Sequence, residues 1–182
     1  MSMRQSSGFS LIEVLIALVI IAIGLLGIAG MQALALSNTN QARLRSLAAI
    51  EAASMAAAMR ANRGYWAAGT APASLGVQGS SGSTATFAST TLSGGLTATT
   101  TDCANTTGAC TASVMAAYDA QSWGRDLAMI LPGGSGAIAC STTVGISVIC
   151  NVSVSWTEKQ LQTEGGTATA TPTLTYSLVV QP

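Results

Sequence analysis

The sequence predicts an α+β fold in which a long N-terminal α-helix, its first half transmembrane, packs on a C-terminal antiparallel β-sheet. Three observations predict it. Residues 9–31 form a nearly unbroken apolar block, and about 20 such residues suffice to cross a bilayer as a helix. Residues 32–63 contain no proline and repeat apolar side chains at helical spacing. Toward the C-terminus, two runs alternate apolar with small or polar residues, the period of a strand with one buried face.

Bulk properties set the limits. The chain has 182 residues, enough for one domain with a modest core and short for two. Charged residues make up 8%, the formal net charge is zero, and 49% of residues are hydrophobic although only 4% are aromatic. So sparse a basic complement gives no electrostatic footprint for nucleic acid, and none is expected as a partner. Histidine is absent, which removes the imidazole that most triads, zinc hydrolases and general bases near pH 7 use. The acids Asp102, Asp119, Asp126, Glu158 and Glu164 are scattered along the chain rather than spaced as an acid and base pair. An enzyme is not expected, nor a catalytic residue, cofactor or metal.

The apolar block follows a short polar leader, Met1 to Gly8, that carries Arg4 and no acid. A positive charge before the span favours a cytoplasmic N-terminus and export of everything beyond. A secretory signal peptide begins in a similar way, but its apolar region runs only about 7–15 residues and ends in a small-residue cleavage site. Here the block is longer and continues into more helical sequence. Glu13 stands near the start of the run. A carboxylate toward the membrane centre costs about 2.5 kcal/mol or more, so this one needs a partner.

Gly8-Phe9-Ser10-Leu11-Ile12-Glu13-Val14-Leu15-Ile16-Ala17 closely resembles the class III signal of type IV prepilins and pseudopilins: glycine, then phenylalanine, then glutamate at the fifth position counted from that phenylalanine. The resemblance implies cleavage by prepilin peptidase between Gly8 and Phe9, N-methylation of the new Phe9 amine, and retention of the apolar block on the mature subunit. It also implies an assembly role for Glu13, paired with the N-terminal amine of Phe9 on a neighbouring subunit. The physical chemistry agrees, because an ammonium beside Glu13 compensates a carboxylate in a low-dielectric helix bundle and favours a one-subunit axial offset.

Past the membrane, Leu44, Ala48, Ala52, Met55 and Met59 recur at steps of four, four, three and four, drawing one apolar face with Arg45, Arg60 and Arg63 to its side. A helix from Phe9 to Arg63 would be roughly 80 Å long. Gly24, Gly27 and Gly30 within it are weak helix formers, each costing about 1 kcal/mol relative to alanine, and read either as close-packing positions or as a place where the helix unwinds. Pilins often carry a proline in this stretch, and this chain has none. The expected organisation is therefore leader 1–8, transmembrane or pilus-core half-helix 9–31, exported amphipathic half-helix 32–63 and globular domain 64–182.

Residues 67–113 are dominated by Ala, Ser, Thr and Gly and read mostly as loop, with short strands around Ala85 to Ala88 and Leu96 to Thr100. A second helix is expected from Ser113 to Leu131: Ala116, Ala120, Trp123, Leu127 and Ile130 share one face, and Pro132-Gly133-Gly134 ends the pattern. The stretch from Tyr118 through Trp123 to Gly134, and Met59-Arg60-Ala61-Asn62-Arg63-Gly64-Tyr65 before it, resemble segments of the PilV-type minor pilins. Tyr118 and Trp123 themselves read as core anchors.

The strand runs are Val144, Ile146, Val148, Cys150, Val152, Val154 and Trp156, then Leu174, Tyr176, Leu178 and Val180. With a polar connection containing Glu164-Gly165-Gly166 between them, they read as an antiparallel pair whose apolar face lies on the long helix. Cys103, Cys110, Cys140 and Cys150 all follow the membrane block, where an exported domain meets an oxidising periplasm. Four cysteines allow three connectivities; Cys103 with Cys110 and Cys140 with Cys150 are favoured because each closes a local loop or hairpin.

By resemblance the chain is then a minor pilin that primes pilus assembly, supporting twitching motility and adhesion. Its partners would be minor and major pilins met through the N-terminal helix, prepilin peptidase, the inner-membrane assembly platform and a tip adhesin. It would be held in the bacterial inner membrane as a single-pass protein before entering the pilus. A type II secretion pseudopilin shares the same signal and helix, and a pilin that grips a ligand directly is a further alternative.

Overall fold

The computed structural model describes residues 10–80, 86–105, 110–141, 147–158 and 172–182. Two compact units divide the chain, residues 1–41 and residues 42–182. The first contains the beginning of helix α1, Leu11–Ala61. Its side chains through Leu36 are exposed on every side of the helix. Proline-free, rich in leucine and alanine, the segment has nothing to interrupt the hydrogen-bond ladder, and Gly24, Gly27 and Gly30 lie within unbroken helix.

The second unit is an α+β domain, as the sequence predicts. The remainder of α1 buries Leu44, Ala48, Ala52, Met55, Ala56 and Met59, which includes the apolar face drawn by periodicity. A one-turn helix α2, Arg63–Trp66, follows and drops Tyr65 and Trp66 into the core with their rings edge to face at 5.1 Å. Helix α3 runs Ala112–Ile130, one residue ahead of the expected span at each end. Thr111 caps it by accepting a hydrogen bond from the Val114 amide at 3.3 Å, which satisfies one of the orphan donors of the first turn. Its far end stops where Pro132 lacks an amide and Gly133 takes a positive φ of 63°.

Five antiparallel strands form one sheet in the order β2-β1-β3-β4-β5: β1 Leu75–Gln78, β2 Thr91–Ser93, β3 Ser135–Cys140, β4 Cys150–Thr157 and β5 Thr173–Val180. The two long C-terminal runs pair as expected, Cys150 opposite Val180 through Thr157 opposite Thr173. Alternation places Val152, Val154 and Trp156 in the core and Asn151 in solvent. Three expectations are corrected. The polar segment supplies strands, but at 75–78 and 91–93; Phe87–Ser89 is a 3-10 turn and Leu96 to Thr100 belongs to no strand. Strand β3, Ser-Gly-Ala-Ile-Ala-Cys between α3 and β4, is predicted by no run in the sequence. The β4 ladder begins at Cys150, so Val148 precedes it. Ala85, Val144, Ile146 and Glu164 lie outside the described residues.

The short strands β1 and β2 exist because they lie on α3 and on a neighbouring strand, not because of propensity. Gly124 on α3 lies against β1 and the residue before β2: a Cβ there would come within 2.6 Å of Val77 Cγ1 and 2.5 Å of Thr90 Cγ2. Only glycine lets the helix backbone sit against the strand at that distance.

The sulfurs of Cys103 and Cys110 are bonded, as are those of Cys140 and Cys150. The second bridge joins ladder partners at the end of the β3–β4 pair. Closing such loops removes unfolded-state entropy worth roughly 2–4 kcal/mol per bridge, a useful share of stability in a domain with few large apolar side chains.

Candidate functional site

The helix start is built at Ser10, whose carbonyl accepts from the Glu13 amide at 3.0 Å and the Val14 amide at 3.3 Å. Glu13 therefore occupies the first turn of α1. Gly8 and Phe9, the residues expected at the cleavage and methylation point, lie outside the described residues. A carboxylate in the first turn is favoured by the helix dipole by about 0.3–1 kcal/mol. That is smaller than the cost of about 2.5 kcal/mol or more for a charge toward the membrane centre, so the dipole alone does not make Glu13 comfortable in an apolar phase.

Behind Glu13 the helix is apolar all round. Leu11 is 78% exposed and Leu26 74%, and an 18-residue window reaches a mean hydropathy of 3.0 with none of it buried by the described residues. Leaving such side chains in water costs about 1.5–3 kcal/mol each relative to burying them. A helix with no polar face has to be covered by lipid or by other helices. At Gly24, Gly27 and Gly30 an added Cβ would meet nothing within 4 Å, so no part of the described chain uses them for close packing.

Several other polar groups are engaged in structure. Asp102 accepts from the Asn105 side chain and, less strongly, from the Ala104 amide, contacts that hold its carboxyl below the usual range. Asp126 pairs with Arg125 at 2.9 Å. Glu158 is buried, accepts from Trp156 Nε1 at 3.1 Å and lies 3.7 Å from Arg45. Burial pushes the carboxyls of Asp119 and Glu51 up, and for Glu51 the Asp126 charge adds to the effect. Among the described residues no three His, Cys, Asp or Glu side chains gather as a metal would require. Among the open hollows lined by described residues, one of about 290 Å³ lies beside Arg60, Arg63, Gln181 and Pro182, and another of about 270 Å³ beside Arg45, Trp156, Leu174, Thr175 and Tyr176.

The raised Glu51 carboxyl gives a pH prediction. A carboxyl whose folded-state pKa exceeds its unfolded value binds more protons when folded, so its contribution is favourable below the unfolded pKa and is lost as pH rises through the folded one. Glu51→Gln removes that loss. The variant is expected to melt higher than the parent at pH 7 and to equal or trail it near pH 4; a parallel pair of melting curves against pH would refute the assignment.

One polar residue that periodicity did not single out is Gln121, buried on α3 between Ala120 and Ser122. Its amide oxygen accepts from the Thr99 amide at 2.7 Å, and its amide nitrogen donates to the carbonyls of Phe87 and Thr90, both at 3.3 Å. One side chain thus ties down the polar segment that reads as loop. Conversely Ile130, expected on the buried face, is 38% exposed at the last turn. Gln121→Leu leaves three backbone groups to find new partners, at about 1–3 kcal/mol for each that fails. Hydrogen exchange is expected to accelerate at Thr99 while β4 and β5 keep their protection; unchanged exchange at Thr99 would rule out the clasp.

Residues 3–29 match the family model described as the prokaryotic N-terminal methylation motif. No curated protein and no solved structure matches the chain. The matched span takes in the Gly8–Phe9 junction, Glu13 and most of the exposed apolar helix, so the motif indicates prepilin-type processing and, with the helix, supports a type IV pilin-like structural protein anchored in a membrane.

Proposed function

We propose that this chain is a minor pilin of a type IV pilus, of the PilV type, cut by prepilin peptidase after Gly8 and methylated on Phe9. It waits in the inner membrane with its N-terminus cytoplasmic, the half-helix 32–63 exported and the domain 64–182 periplasmic, engages the assembly platform and helps to prime the filament with other minor and major pilins, in support of twitching motility and adhesion. The observation that carries this reading is the methylation motif at the head of a helix whose first half is apolar on every side and buried by none of the described residues. Such a helix is an anchor before assembly and a filament-core element after it. Glu13 supplies the register, its carboxylate taking the Phe9 amine of a neighbouring subunit. The PilV-like segments at 59–65 and 118–134 support the subtype, and contact with a tip adhesin follows from a place at or near the pilus tip.

Mass spectrometry of the N-terminus, on protein from sheared pili and from membranes of the same cells, tests the reading. Methylated Phe9 in both fractions is expected. An intact Met1, or cleavage beyond Met31, would overturn it. Deletion that spares twitching and abolishes protein secretion would instead assign the chain to a type II secretion pseudopilus.

A further inference from the structure

We propose that strand β5 is a self-docking edge, through which residues 42–182 of one chain join a second copy of this chain by antiparallel β5–β5 pairing. The two edges of the sheet are treated differently. At one, β2 has three residues and runs straight into Gly94 and Gly95, both at positive φ, which ends the ladder. At the other, β5 has eight residues, Thr173 to Val180, with neither a charge nor a proline inside it, and its register against β4 runs without a bulge. Among the described residues nothing pairs with its outer side. Natural sheets shield such edges with charges, prolines, bulges or a covering element; β5 has no charge, proline or bulge within its length, and no described strand covers its outer side.

The hydrogen-bond phase says which groups are free. Glu158 donates its amide to the Pro172 carbonyl, and these two continue the β4–β5 register outward from Thr157 and Thr173. Bonded pairs alternate in an antiparallel ladder, so Leu174, Tyr176, Leu178 and Val180 direct their backbone groups at β4. The β3–β4 ladder agrees: Ser141 bonds Ile149, which puts odd-numbered β4 residues toward β3 and even-numbered ones toward β5. Thr173, Thr175, Ser177 and Val179 therefore present their amides and carbonyls outward.

A second β5 answers that row with the right parity. A two-fold axis at Tyr176 sets Thr175 opposite Ser177 and Thr173 opposite Val179, so every outward group meets one of its complement. The same register places Tyr176 opposite its copy and Leu174 opposite Leu178, all on the face where these side chains are only half-buried and where the hollow beside Arg45 and Trp156 opens. Apolar face continues into apolar face, with no charge on β5 to oppose it. The arrangement is isologous and closes on itself as a dimer.

The test uses the full-length chain purified in detergent micelles. All four native cysteines are already bridged, so an added cysteine supplies the reactive thiol. Under mild oxidation Tyr176→Cys is expected to give a disulfide-linked dimer, because the two copies face each other at a non-bonded pair, where Cα atoms approach to about 4.5 Å. Thr173→Cys, with its copies roughly 20 Å apart in this register, is expected to stay uncrosslinked. Ser177→Pro removes an outward amide and leaves the β4 ladder intact; dimer dissociation, followed by light scattering, is expected to weaken at least tenfold. A monomeric parent, equal crosslinking from both positions, or a dimer indifferent to Ser177→Pro would each overturn the proposal. So would a mixed disulfide in cells between the Tyr176→Cys variant and another protein with no homodimer, which would assign the edge to a foreign strand.

Discussion

Glu13→Leu is expected to leave cleavage after Gly8 and methylation of Phe9 intact while lowering recovery of the subunit in sheared pili about 100-fold or more. The substitution makes the isolated helix a better membrane span, since it removes a charge from a segment whose mean hydropathy is already 3.0 and spares the cost of placing it there. The penalty appears only on assembly. Once packed, the Phe9 ammonium of a neighbouring subunit would lie in a helix bundle with no counter-charge, and breaking a buried pair by deleting one partner costs about 3–5 kcal/mol. The dipole of the first turn opposes this cation as well, because an N-terminus favours negative charge. Quantifying the subunit in membrane and pilus fractions separates the two effects. Equal incorporation of the variant and the parent would show that Glu13 is a boundary residue without a partner, and the registry role would fall.

The parts of the chain that were legible in sequence are those whose physics is local or contiguous. Glu13 stands out because a carboxylate in an apolar run is costly wherever it lies. The α1 face from Leu44 to Met59 and the β4 face from Val152 to Trp156 follow from period alone, and both are buried. The three short strands were not legible, because their signal is not in their own residues. Strand β1 offers only Leu75 and Val77 as buried side chains, and β3 reads Ser-Gly-Ala-Ile-Ala-Cys, too small and glycine-rich to rise above its surroundings. What makes them strands is pairing with neighbouring strands and contact with α3, made possible by Gly124, while Gln121 on the same helix fixes the flanking backbone at Phe87, Thr90 and Thr99. Expectation failed at Leu96 for the complementary reason. Leu96 is buried as part of the core, but one apolar side chain in a Thr-rich stretch carries no information about pairing. Ile130 satisfied the helical period and is still half in solvent, because the helix ends there.

Trp123→Ala is expected to be the most damaging substitution in the globular unit, lowering stability by about 3–5 kcal/mol. Against the 5–15 kcal/mol typical of a whole domain, that is enough to leave a measurable fraction unfolded. Three elements meet on this one side chain. It belongs to α3; its indole Nε1 donates to the Glu51 carbonyl of α1 at 3.0 Å; and its ring covers Gly136 of β3 so closely that a Cβ there would collide with it. Truncation to alanine opens a cavity at the junction of all three, and the glycine opposite has no side chain to move into the gap. Trp123→Phe divides the causes. It keeps most of the ring over Gly136 and deletes the donor, while the Glu51 carbonyl, inside α1, retains its helical position as an acceptor, so the cost is expected near 1 kcal/mol. Thermal melts of the full-length chain in detergent, followed by near-ultraviolet dichroism, should place the alanine variant roughly 10–20 °C below the parent and the phenylalanine variant only a few degrees below. If the two variants melt together, the hydrogen bond to α1 is the main tie and the ring over Gly136 is secondary. If both melt with the parent, the junction is not where the sheet and the two helices are held.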